Sequence, residues 1–243
     1  MALEAEYPFS LTFSGMHQLQ ADGIIDTGNN LPDGIGDRLS IENGVLKAAV
    51  SSADDLTALG RRSEILHSPD SRAEYWYTWD SMIPDTWNDA YSMSIMQIHD
   101  TPDGGDAARH PGFLLLVENG QFVARMPASA LPSEGTGGTR FPLISLVKNR
   151  WHSFCLHASW QIDDAGFREF FVDRVPYFRQ WNLATHYDDV TGPYLKLGVY
   201  DFFSALSGSQ TAYHRNVKIW SGNDGYESVM NGLPALKPNY LSL

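Results

Sequence analysis

The chain has 243 residues, 43% of them apolar and 12% aromatic, enough to bury a sizeable core within one domain of the large all-β kind. Its formal net charge of −12 argues against nucleic acid as a partner, and it requires that any polyanionic ligand be met by cations gathered locally against the overall field. No apolar run approaches the ~18 to 20 residues that span a bilayer, and the single cysteine, Cys155, leaves neither a disulfide framework nor a cysteine metal cage.

The opening Met1-Ala2-Leu3-Glu4-Ala5-Glu6 lacks the basic segment followed by an apolar one that marks a secretory signal, so either the chain is not exported by that route or it is a mature form. From 7 to 50, short apolar stretches are broken by turn formers: Pro8, Gly15, Asp22-Gly23, Thr27-Gly28-Asn29-Asn30 and Pro32-Asp33-Gly34-Ile35-Gly36-Asp37. This punctuation predicts strands joined by turns rather than helices. Asp22, Asp26, Asp33 and Asp37 could offer oxygen ligands to a structural calcium ion, although the spacing is not that of an EF-hand loop and a solvated turn cluster is the plainer account.

Arg61 to Leu66 reads as a strand, and Glu74 to Pro84 as an aromatic-rich one closed by proline. Strict alternation over Tyr91 to His99 puts Gln97 and His99 on a face with Met93 and Ile95, opposite Ser92, Ser94, Met96 and Ile98. A hairpin follows, Phe113 to Val117 and Phe122 to Met126 around Asn119-Gly120, a pair suited to a turn whose two central residues need positive φ. Ala128 to Thr139 reads as loop, Trp151 to Trp160 and Phe167 to Val172 as strands, Asp173-Arg174 as a turn, and Tyr194 to Tyr200 and Ala212 to Trp220 as the last strands. Cys155 sits in an apolar run and reads as a buried, inert thiol. No stretch holds a 3.6-residue apolar period. About a dozen short strands predict an all-β fold: an antiparallel two-sheet β-sandwich of the jelly-roll, concanavalin-like kind, one domain over 1–243 with a peripheral tail from about 223 to 243.

Tyr194-Leu195-Lys196-Leu197-Gly198-Val199-Tyr200 organises the functional reading. In a strand, Leu195, Leu197 and Val199 face a core while Tyr194, Lys196, Gly198 and Tyr200 line the other face. Two phenols and an ammonium around a glycine pack poorly and suit an anionic ligand. Arg62, Gln97, His99 and Tyr200 form the candidate catalytic set, with Lys196, Tyr194 and Glu64 as substrate-binding residues. Placed around one acidic sugar, they suit β-elimination: Gln97 and Arg62, with His99 as an alternative further donor, stabilise charge developing on the carboxylate. His99 and Tyr200 share base and acid, or Tyr200 does both, a phenol beside cations being drawn toward phenolate. The role of Tyr200 could also fall to Tyr194, which shares its face. No cofactor is required, and the remaining histidines show no paired zinc spacing, so no metal centre is predicted.

Arg62-Ser63-Glu64-Ile65-Leu66, Gln97-Ile98-His99 and Tyr194 to Tyr200 resemble the three motif strands of jelly-roll polysaccharide lyases that cleave alginate. Trp76-Tyr77 with Pro84, the Leu114 to Arg125 hairpin, Trp151-His152-Ser153-Phe154 and Val217 to Trp220 are more similar to the glucuronan-lyase and heparin-lyase-like branch. The resemblance implies a concave groove with Gln97 and Arg62 at the substrate carboxylate, His99 at the proton-transfer centre and Tyr200 as acid or base. Two positions depart from the alginate pattern: Asp201-Phe202-Phe203 stands where a polar pair usually follows the last Tyr, and His67 where the first motif usually carries a second Arg. Both favour glucuronan, or a similar polyuronate, over alginate.

The expected partner is therefore an anionic polysaccharide met outside the cell by a monomer, with neither nucleic acid nor membrane involved. The alternative is a carbohydrate-binding jelly roll without the reaction. A two-carboxylate glycoside hydrolase fits poorly, because no strand carries acids at alternating positions.

Overall fold

The computed structural model describes residues 2–7, 25–26, 38–54, 56, 60–67, 73–106, 110–127, 138–203 and 205–222, with backbone alone for 2–7 and 25–26. Asp22, Asp33, Asp37 and the tail 223–243 lie outside the described residues, as does the side chain of Asp26. The strands are β1 (Ala2–Tyr7), β2 (Ile25–Asp26), β3 (Leu39–Glu42), β4 (Val45–Ser51), β5 (Arg61–Leu66), β6 (Glu74–Met82), β7 (Met93–His99), β8 (Phe113–Glu118), β9 (Gln121–Met126), β10 (Thr139–Ser145), β11 (Trp151–Ser159), β12 (Phe167–Val172), β13 (Val175–Trp181), β14 (Tyr194–Asp201) and β15 (Ser209–Ser221). They form two antiparallel sheets. The back sheet runs β13-β12-β11-β6-β15-β4-β3, with β1 added along β15; the front sheet runs β10-β9-β8-β7-β14-β5-β2.

Alternation builds the core between the sheets. Leu195, Leu197 and Val199 of β14 and Phe113, Leu115 and Val117 of β8 meet Leu46, Val50, Tyr77, Trp79, Phe154 and Phe170 from the back sheet. Trp76, Trp79 and Trp160 are buried, and burial also pushes the Cys155 thiol far up from its ordinary range, so it is inert. Asn119 and Gly120 turn the β8–β9 hairpin at φ 50° and 69°, as their pairing predicts.

Two irregularities set the front sheet's outer face. On β7 the register against β8 shifts between Ser94 and Met96, and Met93, Ile95, Met96 and Ile98 all enter the core. This β-bulge inverts the alternation. Gln97 and His99 therefore leave the face of Met93 and Ile95, where strict alternation puts them, and share the outer face with Ser94. On β14 a second bulge against β7 lies between Leu197 and Tyr200. A Cβ at Gly198 would overlap the Ser63 carbonyl and stand 2.7 Å from Glu64 Cα, so only glycine lets β5 approach here.

His214 pins that bulge from the opposite sheet. Its Nε2–H donates to the Gly198 carbonyl at 3.2 Å and its Nδ1 accepts from Ser81 Oγ at 2.9 Å. Burial lowers its pKa to about 3, so the buried ring is neutral.

Two strands appear where the sequence offers little signal. β10 and β13 contain Pro142 and Pro176 and lie at the outer edges of the two sheets, where a missing N–H leaves no ladder bond unmade.

Candidate active site

The three sequence-remote segments come together because β14 lies between β7 and β5. Across these strands, Arg62 is opposite Tyr200, Glu64 opposite Gly198, Lys196 opposite Gln97, and Tyr194 opposite His99. All these side chains share the front sheet's outer face. The Arg62 guanidinium carbon stands 4.4 Å from the Tyr200 ring centroid, and Gln97 Nε2 donates to Glu64 Oε1 at 2.5 Å. Lys196 Nζ lies 5.7 Å from the Tyr194 ring centre. Arg62, Gln97, His99, Tyr200, Lys196, Tyr194 and Glu64 are thus all brought to one surface, with Gln97, Glu64 and Lys196 buried among them.

His99 is held by its own neighbourhood. Nδ1 lies 2.5 Å from the Asp100 carbonyl oxygen, and because a carbonyl only accepts, Nδ1 carries the hydrogen and Nε2 the lone pair. Tyr194 Oη approaches the same Nδ1 at 3.1 Å and accepts from Thr101 Oγ1 at 3.3 Å. Behind it, the Asp100 carboxylate accepts from Gly112 N–H at 3.0 Å, which tethers the residue whose carbonyl orients His99, and its other oxygen lies 2.6 Å from His186 Nε2. Sequence reasoning missed Asp100 and His186, since a contact across 86 positions leaves no local pattern.

Burial, then the positive charge of Lys196, lowers the His99 pKa to about 4, so the ring is a neutral base at ordinary pH. Tyr200 corrects the sequence reading. Burial outweighs the pull of Arg62, so its pKa rises above the usual tyrosine value and the group stays a phenol rather than moving toward phenolate. The pair is therefore a neutral imidazole with a free lone pair and a phenol with its proton, flanked by an amide, a guanidinium and an ammonium.

Two carboxylates of the back sheet, Glu74 and Glu169, are engaged with their neighbours. Glu74 and Glu169 each lie 2.7 Å from one nitrogen of His157, whose ring stacks on Trp76 at 3.5 Å, and Arg179 also holds Glu169. Among the described residues, Asp106, Asp188 and Asp189 bring carboxylate oxygens within 4.8 Å of one another, a grouping the sequence reading did not single out.

A polysaccharide lyase family model matches residues 12–218. Among solved structures, the chain is similar to the endo-β-1,4-glucuronan lyase of the fungus Trichoderma reesei, at 17% identity and a TM-score of 0.70, covering 91% of this chain and 96% of that one. It is also similar to an alginate lyase of Pseudomonas aeruginosa, at 20% identity, TM-score 0.58 and coverage of 85% and 90%. An alginate lyase of polysaccharide lyase family 7 gives 14%, 0.59, 76% and 83%. At such identities the likeness is one of fold, and no curated protein matches significantly by sequence. A family match over most of the chain, carried on the two-sheet antiparallel jelly-roll sandwich of these enzymes, makes this chain a member of the polysaccharide lyase family.

Proposed function

We propose that the enzyme cleaves a uronic-acid polymer, glucuronan or a similar polyuronate, by β-elimination. The observation that carries this reading is the meeting of Arg62, Gln97, His99 and Tyr200 on one sheet face; the lowered His99 pKa and the raised Tyr200 pKa support a base and an acid there. His99 Nε2 takes the proton from sugar C5. The electron pair moves toward the carboxylate, where Gln97, Arg62 and Lys196 meet the developing charge in a largely water-excluded setting. Gln97 has two amide hydrogens; one is committed to Glu64, leaving the other for the substrate. The C4–O bond then breaks, Tyr200 gives its proton to the leaving oxygen, and a C4=C5 double bond forms. Transfer of the proton from His99 back to Tyr200, directly or through solvent, restores both groups, with no water consumed and no oxidation.

Tyr200 as acid and His99 as base is favoured over Tyr200 in both roles, because a phenol with a raised pKa is a poor base at ordinary pH. Tyr194 is a weaker candidate for acid, its hydroxyl being shared between Thr101 and His99. The name of the Trichoderma neighbour and the two departures at His67 and Asp201-Phe202-Phe203 favour glucuronan over alginate. A polymer of this kind is met outside the cell, and every group the reaction uses comes from one chain, so a monomer suffices. Incubation with glucuronan, alginate and heparin-type chains, followed by ultraviolet absorbance of the unsaturated sugar end, is expected to show a rise on glucuronan or a related polyuronate. Silence on all of them, with binding retained, would instead favour the carbohydrate-binding module.

A further inference from the structure

Arg125 is a buried cation that the reaction above does not use. It lies on β9, only 7% exposed, and its Nε is sealed from solvent with no hydrogen-bond partner. Among the described residues no carboxylate pairs with it: Glu118, the acid whose charge reaches it, is taken by Arg140 at 3.4 Å and by Ser92 Oγ at 2.6 Å. Its own cross-strand neighbour is Arg140, a like charge. Burial first and then Arg140 lower its pKa, against the smaller opposing pull of Glu118. An unpaired guanidinium held this way is costly unless an anion completes it.

Its position says which anion. Lys196, Gln97, Leu114, Arg125 and Arg140 are successive cross-strand partners over β14, β7, β8, β9 and β10, a straight row across the front sheet. Gln97 and Arg125 are two strands apart, about 10 Å if neighbouring strands are ~4.8 Å apart. Between them lies an apolar patch of Leu114, Leu116 and Val123, against which Phe202 packs. Phe202 connects the two centres: its ring lies 5.8 Å from that of Tyr200 and 5.9 Å from the Arg125 guanidinium carbon. Phe203, 57% exposed, stands 4.3 Å beyond. The turn that aims them is pinned by Asp201, which binds Arg61 and the Leu206 N–H, both at 3.3 Å. The aromatic pair that departs from the alginate pattern therefore builds a wall from the catalytic phenol to a second cation.

We propose that Arg125 is the carboxylate receptor of a second sugar subsite, holding a uronate further along the same polymer while the sugar between them lies over the apolar patch and Phe202. The inference rests on the polyuronate reading, and it makes Arg125 a determinant of chain length and of acidic, rather than neutral, sugars at that position.

The test compares wild type, Arg125→Met and, as a control in the turn that leads into β11 of the back sheet, Arg150→Met on glucuronan oligomers of increasing length. For chains long enough to reach Arg125, Arg125→Met is expected to raise KM about 10- to 100-fold with little change in kcat. The shortest cleavable substrate and the control variant should be unaffected. The melting temperature should hold or rise, since an unpaired buried charge is removed; a merely structural arginine would lower it instead. Arg125→Lys, which keeps the charge but loses the fork, should fall between. An unchanged KM on long chains, or an equal loss on short ones, overturns the subsite and leaves the elimination reading standing. Should wild type cleave no polyuronate, calorimetry decides: Tyr200→Phe must bind a long glucuronan oligomer better than its carboxyl-reduced form, and lose that preference when Arg125→Met is added. Absence of that preference, or its survival in the double variant, also overturns the subsite.

Discussion

At the scale of single residues, the proposed chemistry rests on two groups whose ordinary proton affinities burial has moved apart. His99 is lowered to about 4, so its imidazole stays an available base from near that pH upward, while the Tyr200 phenol keeps its proton beyond the ordinary tyrosine range. The kcat/KM profile is therefore expected to rise through about pH 4 and stay flat across neutrality, falling only at pH values above about 10. A rise centred near 6.5, the ordinary histidine value, would mean that His99 is not the base or is not buried in solution. Tyr200→Phe is expected to lower kcat about 10²- to 10⁴-fold while polymer binding, read by calorimetry, changes little. Loss of binding together with catalysis would give Tyr200 a structural role instead.

At the scale of elements, the front sheet's irregularities decide which side chains reach its outer face. The apolar face of β14 was legible in Leu195, Leu197 and Val199, and the Asn119-Gly120 hairpin in its dipeptide. The outward turn of Gln97 and His99 was not, because a bulge leaves no mark in an apolar run where Ile95 and Met96 both face the core. β10 and β13 were hidden for another reason: edge strands with proline and two-sided exposure lack the alternation that betrays a central strand. The contacts of Asp100 with His186 and of His214 with Gly198 join segments distant in sequence, so only the folded chain displays them. Gly198→Ala is expected to cost at least about 1–3 kcal/mol, since β5 backbone must move to admit the methyl group, and to lower kcat by displacing Tyr200. Chemical denaturation alongside kinetics checks both; a stable, fully active variant would show that the close approach of β5 is dispensable.

At the scale of the whole molecule, the sandwich holds an acidic protein around a locally cationic face. It also holds two histidines, His99 partly buried and His214 buried, whose folded pKa values lie below the ordinary one, at about 4 and about 3. Between those values and about 6.5 the unfolded chain binds protons that the folded chain refuses. The stability tied to these rings is complete above that upper value and is lost as pH falls through the interval. Melting temperature is thus expected to drop between pH 6.5 and 4, a slope the ordinary histidine value and the His99 shift together define. His214→Gln should lower stability at neutral pH, where the links to Ser81 and Gly198 are weakened, yet flatten its acid dependence; an unchanged slope would remove His214 from the account. The central claim concerns the bond that breaks, and mass spectrometry of the products from glucuronan tests it most directly. Elimination predicts new chain ends that carry a C4=C5 double bond and have gained no water, absent with Tyr200→Phe. Products each heavier by one water, with saturated ends, would mean hydrolysis and would contradict the roles given to His99 and Tyr200.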